Sequence, residues 1–168
     1  MKRVHLLGTG LAALALAAAP ALAANSSGVT LHPSGFGEKS YAAWKAQQGE
    51  ADANRGGAHA LYFQKDTSTA TVAAGVAVFN GIEDLALPAH GLTLAFDRRL
   101  DGACGAGAPR FNVTVDNGGN RSTIFVGCAE MVTSNAQESG WERRSITLPD
   151  ATPGTVVGLA IILSLIHI

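Results

Sequence analysis

From residue 59 onward the chain repeats one pattern. Short runs rich in β-branched and aromatic residues, with apolar side chains at alternate positions, are separated by breaks of Gly, Asn, Asp, Ser or Pro. Alternation with period two places successive side chains on opposite faces of a strand, so each run predicts a half-buried strand. The predicted strands cover residues 59–65, 70–79, 91–98, 110–116, 122–128, 142–148 and 155–162. Leu92, Leu94 and Phe96 share one face, as do Phe111, Val113 and Val115, and Ile146 and Leu148 repeat the spacing. The run Asn117-Gly118-Gly119-Asn120 predicts a hairpin between its neighbours. Tyr41–Gln47 is ambiguous. Its alanines allow a helix, while Ala42, Trp44 and Ala46 alternate with Tyr41, Ala43 and Lys45 as in a strand. We read it as a strand, in keeping with the rest of the chain. Seven to eight short strands with no strong helix predict an all-β fold, an antiparallel, jelly-roll-like β-sandwich over residues 41–162. Residues 24–40 are small and polar and read as a flexible lead-in.

The two ends depart from this pattern. Lys2 and Arg3 precede an apolar run over residues 6–19, Pro20 breaks it, and Ala21-Leu22-Ala23 has the small-x-small form of a cleavage site. Residues 1–23 therefore read as a signal peptide cleaved after Ala23, or after Ala24. Export to the periplasm or the cell exterior follows, with no stable membrane insertion after cleavage; an uncleaved anchor would need a longer apolar run. At the other end, Leu163-Ser164-Leu165-Ile166-His167-Ile168 equals the translation of a transposase adaptor sequence used in shotgun libraries. Residues 163–168 are therefore expected to be adaptor-derived, and the sandwich to lack its last strand or strands and expose an edge. The alternative is a genuine hydrophobic last strand.

With 47% apolar and 15% charged residues, the 168-residue chain is not of the disordered class. Its 12 basic and 13 acidic residues are too balanced for a nucleic-acid partner bound by phosphate neutralisation. Cys104 and Cys128 are the only cysteines. In an exported chain they predict one disulfide, and their spacing fits neither a CxxC redox pair nor a zinc site. A loop of that size contributes about 3–4 kcal/mol.

The run DGACGAGAPRFNV at 101–113 is the most distinctive stretch. Together with ALYFQK at 60–65 and FVGC at 125–128, it resembles a group of uncharacterised secreted bacterial β-sandwich proteins that share a CGAGAPRFNV-type loop and strand. The resemblance spans roughly residues 40–162 and implies a signal peptide, a single sandwich and a Cys–Cys link, but no established activity. More distantly, the strand order is similar to that of jelly-roll carbohydrate-binding and galactose-binding-like modules.

The candidate chemistry is sparse. Gly102, Gly105 and Gly107 lack a following GK[ST] and a helix, so they read as a tight turn rather than a phosphate loop. Asp97, Asp101 and Asp116 flank this loop and are candidate calcium ligands, with solvated turn acids as the alternative; Glu83 and Asp84 are similar. No other cofactor is expected. His59 and His90 accompany neither HExxH nor GxSxG and read as turn or strand-edge residues. Arg98-Arg99 and Arg143-Arg144 read as solvated strand ends. Arg110 is expected to bond an acid in the adjacent loop. Sugar rings stack on exposed aromatic faces, so Trp141, Tyr62 and Trp44, with Arg110, form the candidate ligand-binding set. Trp141, after Ser139-Gly140, is the best exposed candidate, whereas Trp44 is assigned to the core.

These features predict a secreted, non-catalytic binding module for an extracellular polysaccharide. The alternatives are a cell-surface structural or adhesion protein and a small secreted hydrolase with two carboxylates facing across a cleft.

Overall fold

The computed structural model describes residues 28–51, 58–67 and 72–164. The expected signal peptide and residues 165–168 lie outside these. The described chain forms ten strands: β1 (Thr30–Phe36), β2 (Ser40–Ala46), β3 (His59–Lys65), β4 (Ala74–Asn80), β5 (Thr93–Arg99), β6 (Arg110–Asn117), β7 (Asn120–Gly127), β8 (Val132–Asn135), β9 (Trp141–Thr147) and β10 (Thr155–Leu163). Short 3-10 turns occur at Glu83–Leu85 and Cys128–Glu130. Among the described residues no helix is long and apolar enough to cross a membrane.

Every strand pair is antiparallel. One layer is a five-stranded sheet in the order β1-β4-β10-β6-β7; the other elements are a β2-β3 hairpin and a three-stranded sheet in the order β5-β9-β8. The predicted alternation is what joins the layers. Phe111, Val113 and Val115 of β6, Val126 of β7 and Val156, Leu159 and Ile161 of β10 are buried in one cluster with Leu94 of β5. Phe96 of β5 meets Phe111 across the interior at 5.6 Å between ring centroids. Leu61 and Phe63 of the hairpin pack on the same cluster. The fold is thus the expected all-β antiparallel sandwich, with its second layer divided in two.

Two glycines make room for the hairpin. Gly35 and Gly75 are register partners on β1 and β4. A Cβ at Gly35 would lie 2.6 Å from Tyr41 Cα, and one at Gly75 3.1 Å from the Phe63 ring. Absence of side chains there lets β2 and β3 sit close to the sheet. The β6–β7 hairpin forms as predicted, with Asn117 opposite Asn120 and both Gly118 and Gly119 at positive φ, as a two-residue loop of this hand requires.

Two expectations change. Residues 30–36, read as part of a flexible lead-in, form β1, because Leu31 and Pro33 lie over Phe79 and Ala77 of β4. β8 is a strand the pattern did not predict: its four residues are all exposed, so no alternation marks it. β10 runs through the middle of the large sheet, paired with β4 and β6. Leu163 pairs with Gly75, and Ser164 is buried and accepts a hydrogen bond from Arg110.

Candidate functional site

Three connections converge beside the three-stranded sheet. The loop after β2 folds back through Gln48 and Gly49, whose N–H groups both donate to Ala58 O at 3.0 and 3.1 Å. It is tied to the β8–β9 connection by Ala51 N–H on Glu138 Oε1 (2.6 Å) and by Glu138 N–H on Glu50 Oε1 (3.0 Å). The end of β5 joins the same connection through Leu100 N–H on Gly140 O at 2.9 Å. Between these segments lies an open cleft of about 430 Å³, lined by Gln47, Gln48, Arg99, Asp101, Gly140 and Trp141 among others. Trp141 is half-buried, so part of its indole is available. Arg99 makes a two-pronged pair with Asp101, Nη2 to Oδ2 at 2.6 Å and Nε to Oδ1 at 3.0 Å. That pairing fixes the guanidinium plane at the cleft margin while leaving both side chains about half or more exposed (51% and 68%). Gln47 has a φ of 58°, a left-handed conformation uncommon for a residue other than glycine, which aims the chain into the loop that carries Gln48 and Gly49. The cleft thus combines one aromatic surface with amide, guanidinium and carboxylate groups that can bond hydroxyls. Asp101 is its one carboxylate among the described lining residues, and Arg99 occupies it.

The other members of the expected ligand set lie elsewhere. Trp44 is half exposed (50%), not core as expected: on the edge strand β2 its indole reaches toward β1, where Nε1–H donates to Leu31 O at 3.4 Å. Tyr62 sits on the opposite, outward face of the hairpin with Tyr41, their centroids 6.1 Å apart. The Lys45 ammonium lies 3.5 Å over the Tyr62 ring and occupies that face. Arg110 belongs to the outer face of the five-stranded sheet. The acid expected to meet it in the loop is replaced by a carbonyl: its Nη1 donates to Gly107 O at 2.9 Å.

The three candidate calcium ligands are not gathered. Asp97 pairs with Arg143 at 2.8 Å, Asp101 with Arg99, and Asp116 with Arg121 at 3.2 Å and with the Gly119 N–H at 2.7 Å. Among the described residues no group of three or more His, Cys, Asp or Glu side chains is placed to hold a metal. Glu83 and Asp84 lie in a 3-10 turn, His59 opens β3 and His90 is exposed before β5.

The arginine pairs are not all solvated ends. Arg98 faces Glu142 across the β5–β9 ladder, and Arg144 reaches the same Oε1; their distances are 2.7 and 2.6 Å. All three side chains are at most 16% exposed. Only Arg99 and Arg143 project to solvent as expected.

Cys104 and Cys128 form the predicted disulfide, with 5.1 Å between Cα atoms. It holds the 104–109 loop against the end of β7, helped by Cys128 N–H on Pro109 O (2.9 Å) and Ala129 N–H on Gly105 O (3.2 Å). The Ala108–Pro109 peptide is cis.

Gln47, Gln48 and Arg99 carry no ligand-binding signal in the sequence pattern. The nearest to one is the place of Arg99 two residues before Asp101 in a turn opposite Ser139-Gly140. No family model, curated protein or solved structure matches the chain.

Proposed function

We propose that this chain is an exported, non-catalytic binding module and that the cleft beside Trp141 takes a neutral carbohydrate. The observation that carries this reading is the partly open indole in a cleft rimmed by a fixed Arg99–Asp101 pair and two glutamine amides. A pyranose offers an apolar C–H face for the ring and equatorial hydroxyls for the planar groups around it. The signal-like leader and the disulfide support placement in an oxidising, extracytoplasmic compartment.

The test uses tryptophan emission. In a Trp44→Phe background Trp141 becomes the only indole. Titration with neutral oligosaccharides of glucose, xylose, mannose and galactose should change its emission saturably for at least one. Trp141→Ala should weaken that ligand by about 10-fold, as measured by calorimetry. Unchanged affinity in Trp141→Ala, or no saturable response to any of the four, overturns the reading.

A further inference from the structure

Five of the described arginines each have a carboxylate partner. Arg98 and Arg144 share Glu142, Arg99 pairs with Asp101, Arg121 with Asp116 and Arg143 with Asp97. Arg110 is the exception. It is the only buried charged residue among those described, 8% exposed, and it makes none of the ion pairs found there. Its partners are neutral: Nε donates to Asn112 Oδ1 at 2.9 Å, and Nη1 to Gly107 O at 2.9 Å and Ser164 Oγ at 3.0 Å. Nη2 donates to no described residue. Because no side-chain nitrogen or oxygen is buried without a partner, Nη2 is the part of the group that reaches solvent. Taking a cation out of water without a counter-charge is costly, and burial does hold this guanidinium below the ordinary arginine range.

The surroundings form a platform. β6 and β7 pair Asn112 with Phe125 and Thr114 with Thr123, on the same outer face as Arg110. Phe125 is 50% exposed, and its ring centroid lies 5.5 Å from the guanidinium carbon. The disulfide-held loop closes one end: a Cβ at Gly127, the register partner of Arg110, would run into Ala106 O. A fixed cation thus covers one face of a half-exposed aromatic ring, whose other face stays open beside a short row of amide and hydroxyl groups on the outer face of the sheet.

We propose that this face is a second site, separate from the Trp141 cleft, for an acidic sugar of the uronate class. The ring of a uronate stacks on Phe125, and its carboxylate, attached directly to that ring, pairs with Nη2 of Arg110. Asn112, Thr114 and Thr123 bond its hydroxyls. The ring-borne carboxylate is what favours a uronate over an acidic peptide here, since the cation and the aromatic face are adjacent and both must be engaged.

The test is calorimetry on the full chain with tetragalacturonate and with its methyl ester, which keeps the rings and removes the charge. The acid should bind and the ester should bind at least about 10-fold more weakly. Arg110→Gln and Phe125→Ala should each lose binding by a similar factor, while Trp141→Ala keeps it. Phe125 is exposed, so its variant reports on the site even where Arg110→Gln unfolds. Equal binding of acid and ester, loss of binding in Trp141→Ala, absence of uronate binding, or binding of polyglutamate in place of uronate each overturns the proposal. The neutral-sugar reading of the cleft stands or falls on Trp141 alone, so the two results are separable.

Discussion

Glu142 is held by two guanidinium groups at once. The hydrogen bond from Arg144, then that from Arg98, holds its carboxyl below the usual carboxylate range against the opposing effect of burial. Asp116 is held low first by the Gly119 N–H and then by Arg121. A carboxyl that is more acidic in the folded state binds fewer protons there than in the unfolded chain. Its contribution to stability is therefore complete above the ordinary carboxylate pKa of about 4 and is lost as pH falls through the depressed value. Urea midpoints should be flat from neutral pH down to about 5 and fall steeply below about 4. Glu142→Gln should lower the midpoint at neutral pH and make the acid fall shallower; an unchanged acid slope counts against this pairing. At this scale the sequence was only partly legible. Arg98 and Arg144 looked like solvated charges because nothing local shows that β5 and β9 align them on Glu142. The exposures of Trp44 and Trp141 depend on how strands pack at sheet margins, which alternation alone does not encode.

The 104–109 loop is an element without regular structure that the covalent link makes rigid. Cys104→Ser together with Cys128→Ser should cost about 3–4 kcal/mol, read as a lower urea midpoint with a somewhat larger m, because the unfolded chain expands once the cross-link is gone. If uronate binds as proposed, the same double variant should weaken it, because Gly107 O helps orient Arg110. The strands with an apolar face were legible within two residues, except β4, which begins four residues after the start read for it, and so were the β6–β7 turn and the disulfide. β1 was not, because Ser34, Gly35 and a proline dilute its alternation, and the glycine that weakens its signal is what admits the hairpin. β8 was not, because it lies at a sheet edge with no buried residue.

At the scale of the whole molecule, the large sheet is continuous and the layer facing it is not. The topology follows from long-range pairing: β10, the last of the described strands, takes the centre of a sheet begun by β1 and β4. No local signal in the sequence predicts that order, so alternation alone encodes only the class of fold. Cleft residues are legible only once β2, β5 and β9 are placed, because each supplies one wall.

The divided second layer has a dynamic consequence. The β2-β3 hairpin pairs with no other strand, so side-chain packing and a few loop bonds hold it, whereas β10 is flanked on both sides. Local opening should therefore begin there. In amide hydrogen exchange, the β2 and β3 protons should exchange through a lower-energy opening than those of β10 and β6, whose exchange tracks global unfolding. Gln47 and Gln48 travel with this hairpin, so a ligand that bridges them to Trp141, as proposed for the neutral sugar, should bind only the closed form. Occupancy should then slow hairpin exchange in proportion to ligand concentration, so that a motion of the scaffold becomes a readout of the cleft.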